Sequence, residues 1–215
     1  MIRGVIFDLD GVLVTTDELH YQSWQQITAA EGIDFDRTIN HRLRGISRME
    51  SLEIVLERSP RRYSAEEKAA LAERKTAIFR QLLQSLTPAD LLPGALEMVR
   101  ALRRRGLKTA VASSSKNTPL IMDQLNLWPH FDAVVDGNDI THSKPDPEVF
   151  LRAAQRLDLP PTDCLVIEDA VAGVESARRA GMAVFGIGTP QTLPGVDRLA
   201  RDLAQVTVEE LLGTG

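Results

Sequence analysis

Two aspartates two residues apart close an apolar run in Phe7-Asp8-Leu9-Asp10-Gly11-Val12. If the extended geometry of a strand persists, its two-residue period puts both carboxylates on one side. They then repel each other unless a cation or a proton intervenes. The chemistry open to such a pair is a metal-bound carboxylate nucleophile with an acid/base partner. The plain alternative is a polar turn after a strand. A calcium loop is excluded, because counting from Asp8 puts Leu13 where glycine and Leu19 where glutamate would be needed.

Three further apolar runs end in polar residues. In Ala112-Ser113-Ser114-Ser115-Lys116-Asn117, small hydroxyls meet the first amides of a helix, which is either an anion site or an ordinary N-cap by Ser115 or Asn117. In His142-Ser143-Lys144-Pro145-Asp146-Pro147, Lys144 stands just before a helix N-terminus. A cation there disfavours the helix, so the lysine either serves another purpose or is a solvated loop residue. Adjacent acids follow Cys164-Leu165-Val166-Ile167. Glu168 and Asp169 are oxygen ligands suited to a hard cation such as magnesium, unless Asp169 simply caps the next helix.

The elements that must position these residues are legible from pattern. Short apolar runs bounded by polar residues predict strands over Ile2–Phe7, Lys108–Ala112, Asp132–Val135, Cys164–Ile167 and Ala183–Ile187. Helical patterns lie between the later strands. They cover Gly94–Arg105, Asn117–Leu125, a helix with Asp146 as N-cap and Pro147 in its first turn, and Val171–Ala180. This alternation predicts an α/β core with a Rossmann-like parallel sheet and helices on both faces, and ligands at the carboxyl ends of its strands. Residues 15–92 break the alternation and read as helix: Glu18–Glu31, Thr38–Leu43, Arg48–Arg58 and Ser64–Leu86, the last opened by the capping-box spacing Ser64-Ala65-Glu66-Glu67. The expected organisation is a core of residues 1–14 and 93–215 with an all-helical insertion at 15–92. Beyond Thr189 only a final helix, Val208–Leu212, has a readable pattern.

The chain has 215 residues, 43% hydrophobic and 26% charged, which suits a soluble globular protein with a substantial core. Its one cysteine, Cys164, lies in an apolar run and reads as a buried reduced thiol. With no internal disulfide possible and no span-length apolar stretch, a cytoplasmic protein is expected; the expected state is a monomer, which no residue pattern fixes. The net charge is −5, and the densest basic cluster, Arg103-Arg104-Arg105, ends a predicted helix, where cations complement the dipole. No aromatic residues are interleaved with it, which argues against nucleic-acid binding. The handling of an anionic phosphate would fall to individual cationic sites.

The four strand-end motifs, in this order and with a helical insertion after the first strand, resemble the haloacid dehalogenase superfamily. That resemblance implies that Asp8 attacks phosphorus and becomes an aspartyl-phosphate. It implies that Asp10 is the general acid/base, with its backbone carbonyl on magnesium. Ser113 and Lys144 would hold the transferring phosphate, and Glu168 and Asp169 would complete the metal site.

The helical insertion should select the substrate. His20 shares a helix face with Trp24 and Ile27, as either a packed histidine or a substrate gate. Lys75 falls on the apolar face of Leu71, Ile78, Phe79 and Leu82, either snorkelling or aimed into a polar cleft. Arg48, in Gly45-Ile46-Ser47-Arg48, is either a surface arginine or a fork for a second phosphate. These residues, with Glu73-Arg74-Lys75 and Ser113-Ser114-Ser115-Lys116-Asn117, resemble the beta-phosphoglucomutase subfamily. The resemblance implies an isomerase of carbohydrate metabolism that interconverts beta-D-glucose 1-phosphate and D-glucose 6-phosphate, with beta-glucose 1,6-bisphosphate as intermediate and activator. It places Arg48, Ser115, Lys116 and Asn117 on the far phosphate, Gly45 and Ile46 on the sugar side, and Lys75 and Ser114 among the substrate contacts. It puts Thr16 and His20 at hinge positions coupled to Asp10. Thr15, where many relatives carry an acid, and Ser114, where a smaller residue is common, depart from the pattern. A magnesium-dependent sugar-phosphate phosphatase on the same core is the alternative. A non-catalytic phospho-sugar sensor is a third reading, though all the core residues it could dispense with are intact.

Overall fold

The computed structural model describes residues 1–43 and 47–214. Its strands are β1 (Gly4–Phe7), β2 (Lys108–Ala112), β3 (Ala133–Val135), β4 (Cys164–Glu168), β5 (Ala183–Ile187) and β6 (Leu199–Ala200). Its helices are α1 (Asp17–Ala30), α2 (Arg37–Arg42), α3 (Arg48–Leu56), α4 (Ala65–Leu83), α5 (Ala95–Arg104), α6 (Thr118–Gln124), α7 (Glu148–Arg156), α8 (Val171–Arg179) and α9 (Val208–Leu212). By contact density the chain forms two compact units, Met1–Thr15 with Thr87–Gly215, and Thr16–Leu86.

In the first unit the described strands form one parallel sheet in the order β3-β2-β1-β4-β5-β6. This is the α/β fold expected from the strand–helix alternation. β1 is central, with Phe7 opposite Val111 on one side and Ile167 on the other. Its residues are fully buried, as the continuous apolar run requires of a strand covered on both faces. One core layer joins Ile6, Ala110, Val135 and Val166 to Val149, Phe150 and Ala153 of α7. Helix α8 stops at Gly181, whose φ of 75° lies in the left-handed region that glycine adopts without a Cβ penalty. Residues 87–92 go with this unit: Leu92 N–H donates to Leu13 O at 2.9 Å, and Leu91 bridges to Val14.

Two local expectations need correction. α7 begins at Glu148 with Pro147 in the N-cap position, not with Asp146 there. The Asp146 carboxylate still accepts the Glu148 N–H at 2.9 Å, so it caps from one residue further back. The edge strand β6 lies in a tail that has no readable pattern, because two residues are too few to show a period.

The second unit packs α1 to α4 around Trp24, Ile27, Ile39, Leu52, Val55 and Leu71. Asp36 caps α2, and Ser47 with Glu50 and Ser64 with Glu67 form capping boxes at α3 and α4. Among the described residues no helix is long and apolar enough to cross a membrane.

Candidate active site

The carboxyl ends of β1, β2 and β4 and the loop before α7 bring the first unit's expected residues together. Asp8 follows β1 directly and is buried, its N–H donating to Ile167 O at 2.9 Å. Lys144 reaches it from the loop, with Nζ 2.5 Å from Asp8 Oδ1, 3.2 Å from Glu168 Oε2 and 3.4 Å from Ala112 O. Its side chain is 11% exposed, so Lys144 is not a solvated loop lysine. Burial would drain its charge, but the adjacent Asp8 and Glu168 carboxylates overcome that and raise its pKa. The peptide bond between Lys144 and Pro145 is cis.

Asp8, Glu168 and Asp169 each present a carboxylate oxygen within 4.8 Å of the others. Burial, then the Asp8 charge, raises the Glu168 pKa against the opposing effect of Lys144. Burial, then Asp8 and Asp10, raises Asp169 to about 7. Three clustered carboxylates facing a single lysine leave negative charge uncompensated, and hard oxygen donors of this kind fit a divalent cation such as magnesium. Asp169 is not the cap of α8, since Ala170 occupies that position and its N–H goes to Glu168 Oε1 at 3.2 Å.

Two glycines make room for this cluster, a role that composition and periodicity do not reveal. A Cβ on Gly11 (φ 88°) would lie 2.0 Å from Asp169 Oδ2. A Cβ on Gly173 would lie 2.0 Å from Glu168 Oε1.

The end of β2 builds the adjoining polar loop. Ser113 is buried, and its Oγ accepts the Ser115 N–H at 3.1 Å, while Ser115 Oγ accepts the Asn117 N–H at 3.2 Å. Asn117 precedes α6 without capping it by its side chain. Lys116 is exposed. Ser114 Oγ lies 3.5 Å from the Lys144 N–H, a link to the lysine loop. Asp10 pairs with Val14 through a backbone bridge.

In the helical unit, Thr16 is buried at the start of α1. Lys75, only 5% exposed, sets Nζ 2.7 Å from His20 Nδ1 and 4.5 Å from the centre of the Phe79 ring. Lys75 therefore does not snorkel. While Lys75 is charged it can only donate, and His20 Nδ1 then accepts, with the ring proton on Nε2. Burial and the Lys75 charge push His20 down to about 3, and burial and Arg48 push Lys75 down to about 7. His20 also stacks on Phe79 at 4.0 Å. Arg48 is exposed and donates to Thr76 Oγ1 at 2.7 Å. Gly45 and Ile46 lie outside the described residues.

The model of the haloacid dehalogenase-like hydrolases matches residues 2–181. A beta-phosphoglucomutase of Bacillus subtilis is 42% identical over 212 residues, covering 98% of this chain and 94% of its own. A phosphorylated carbohydrates phosphatase of Thermotoga maritima is 30% identical over 190 residues, covering 86% and 85%. The crystal structure of beta-phosphoglucomutase from Clostridium difficile superposes with a TM-score of 0.90 at 34% identity, covering 100% of this chain and 97% of that one.

Proposed function

This chain belongs to the haloacid dehalogenase-like hydrolase family, and on that premise we propose that it is a cytoplasmic phosphomutase interconverting beta-D-glucose 1-phosphate and D-glucose 6-phosphate. The observation that carries the chemistry is Lys144 Nζ 2.5 Å from Asp8 Oδ1, beside the carboxylates of Glu168 and Asp169. The 42% identity to a beta-phosphoglucomutase supports the mutase reading.

In this reading one sugar hydroxyl attacks phosphorus of the aspartyl-phosphate, Asp10 takes the hydroxyl proton, and the bond from phosphorus to the Asp8 oxygen breaks. An Asp8 oxygen then attacks the opposite phosphorus of the bisphosphate, the bond from phosphorus to that sugar oxygen breaks, and Asp10 returns the proton to the departing oxygen. Ser113 and Lys144 hold the transferring phosphate. Asp8, Glu168, Asp169 and the Asp10 backbone carbonyl would hold magnesium, which would offset the charge repulsion between carboxylate and phosphate. Beta-glucose 1,6-bisphosphate is the species that turns around between the two transfers. Arg48, Ser115, Lys116 and Asn117 take its far phosphate, Gly45 and Ile46 the sugar, and Ser114 and Lys75 further substrate contacts. Thr16 and His20 couple the helical unit to Asp10.

A phosphatase is the second reading, favoured by the Thermotoga maritima relative. Incubation with beta-glucose 1-phosphate, magnesium and a trace of the bisphosphate distinguishes the two. Glucose 6-phosphate is expected to accumulate, with little free phosphate. Stoichiometric phosphate release without glucose 6-phosphate would overturn the mutase reading.

A further inference from the structure

We propose that Glu148, clamped by Arg152, is a positioning residue for Lys144: the pair forms a clasp that fixes the loop carrying the lysine and so sets its aim at Asp8. The inference rests on Lys144 being the phosphate-side lysine of the reading above.

The loop from Thr141 to Pro147 is fastened at both ends to the first turn of α7. On the near side, Glu148 Oε2 accepts the backbone N–H groups of Thr141 and His142, each at 2.9 Å. Its other oxygen, Oε1, takes Nε and Nη2 of Arg152, one turn along the helix, at 2.9 and 2.7 Å. On the far side, Asp146 N–H donates to Ser143 O at 3.1 Å, Asp146 Oδ1 accepts the Glu148 N–H, and Asp146 O accepts Ser176 Oγ of α8 at 2.7 Å. Lys144 lies between the two fastenings. The helix itself cannot drift, because Val149, Phe150 and Ala153 are fully buried against the sheet. A loop held at one end only would leave the 2.5 Å contact with Asp8 to the flexible lysine stem.

His142, Asp146 and Glu148 also bring ligand-type atoms within 4.8 Å of one another, which raises the possibility of a second cation site. The donors around Glu148 decide against it. Both oxygens are already engaged, one by two backbone N–H groups and one by a guanidinium. These partners, the loop N–H groups foremost, hold the carboxyl down to about 2, so it is ionised and satisfied without a metal. A surface Glu–Arg pair at i,i+4 is ordinarily a marginal ornament of a helix. Here the same carboxylate closes a loop onto that helix, which makes it a fixture of the site.

A double-mutant cycle on the full chain tests the clasp, with calorimetric binding of orthovanadate in the presence of magnesium as one readout. Glu148→Ala is expected to weaken binding about 10-fold and Lys144→Ala about 100-fold, with the double variant no weaker than Lys144→Ala alone, because residues acting as a unit are not additive. The same factor lost in both backgrounds, or no loss on Glu148→Ala, would refute the clasp. The second readout is amide hydrogen exchange over residues 141–146, expected to accelerate in Glu148→Ala and to stay unchanged in Lys144→Ala. Unaltered exchange in Glu148→Ala would also refute the proposal. If Glu148→Ala does not fold, Glu148→Gln, which keeps an acceptor for the loop but loses the Arg152 clamp, takes its place in the cycle and is judged by the same criteria. Failure of wild-type protein to bind vanadate would strike the phosphotransfer reading, and the exchange measurement would still decide the clasp. Vanadate binding does not depend on whether the second transfer goes to sugar or to water.

Discussion

Two lysines show how the same side chain is put to different use by its surroundings. Lys144 faces Asp8 and Glu168, and its charge is reinforced. Lys75 faces an imidazole nitrogen and aromatic faces, and burial pushes its pKa from 10.5 down to about 7. The stability consequence has a definite sign. Between pH 7 and 10.5 the unfolded chain holds a proton on Lys75 that the folded chain lacks, so stability rises with pH across that window. Below pH 7 both states are charged and the cost of burying the ammonium is borne in full. Lys75→Met should therefore exceed the parent by roughly 1–3 kcal/mol at pH 7, and the gap should narrow toward pH 10. Urea midpoints of the two proteins across that range check it. A gap independent of pH would mean that Lys75 keeps its charge when folded.

At the scale of elements, β4 and α8 form one device for the acidic cluster. The strand ends on Glu168, and the helix begins three residues later with Gly173 placed where the Glu168 carboxylate needs space. Helix propensity alone predicts that Gly173→Ala would stabilise the helix by about 1 kcal/mol. The added methyl instead lands on a carboxylate held by Lys144 and the Ala170 N–H. We expect magnesium affinity to fall about 10- to 100-fold, the usual range for disturbing a ligand's support, with the thermal midpoint largely kept. A magnesium titration indistinguishable from wild type would sink this expectation. Strands β1 to β5 were readable in the sequence because runs such as Cys164-Leu165-Val166-Ile167 are apolar without interruption, as a sheet covered on both faces demands. Strand-end placement then led to Asp8, Ser113, Lys144, Glu168 and Asp169. The role of Glu148 was not readable. Its loop donors, Thr141 and His142, lie across two prolines, and nothing in their types signals a backbone contact. Gly11 and Gly173 escaped for a related reason, since the atoms they make room for come from another segment or an earlier turn.

The whole molecule accumulates charge that its own residues do not cancel. In the metal-free protein the raised Glu168 and Asp169 groups bind protons that the unfolded chain would release, so this cluster's contribution to stability declines as pH rises from about 4 through about 8. Magnesium binding to the folded state alone should reverse that decline. Millimolar magnesium is expected to raise the thermal midpoint by several degrees at pH 8 and by much less at pH 6. An equal rise at both pH values would show that the carboxylates do not compete with protons for the ion. The division into two units was foreshadowed by composition, because helical periodicity without strand runs fills the stretch between β1 and α5. What pattern could not supply was the sheet order, which depends on which apolar runs pair across the chain. That order has a consequence for synthesis. β1 sits between β2 and β4, yet both partners follow it by about 100 residues or more, which at ribosomal speed is roughly 5–20 s. For that interval Val5, Ile6 and Phe7 are an apolar strand with two open edges, the kind of segment prone to pairing with the wrong chain. The four helices of the second unit, made in the meantime, can collapse locally, so the part of the chain that closes last on the ribosome is the sheet that carries the nucleophile.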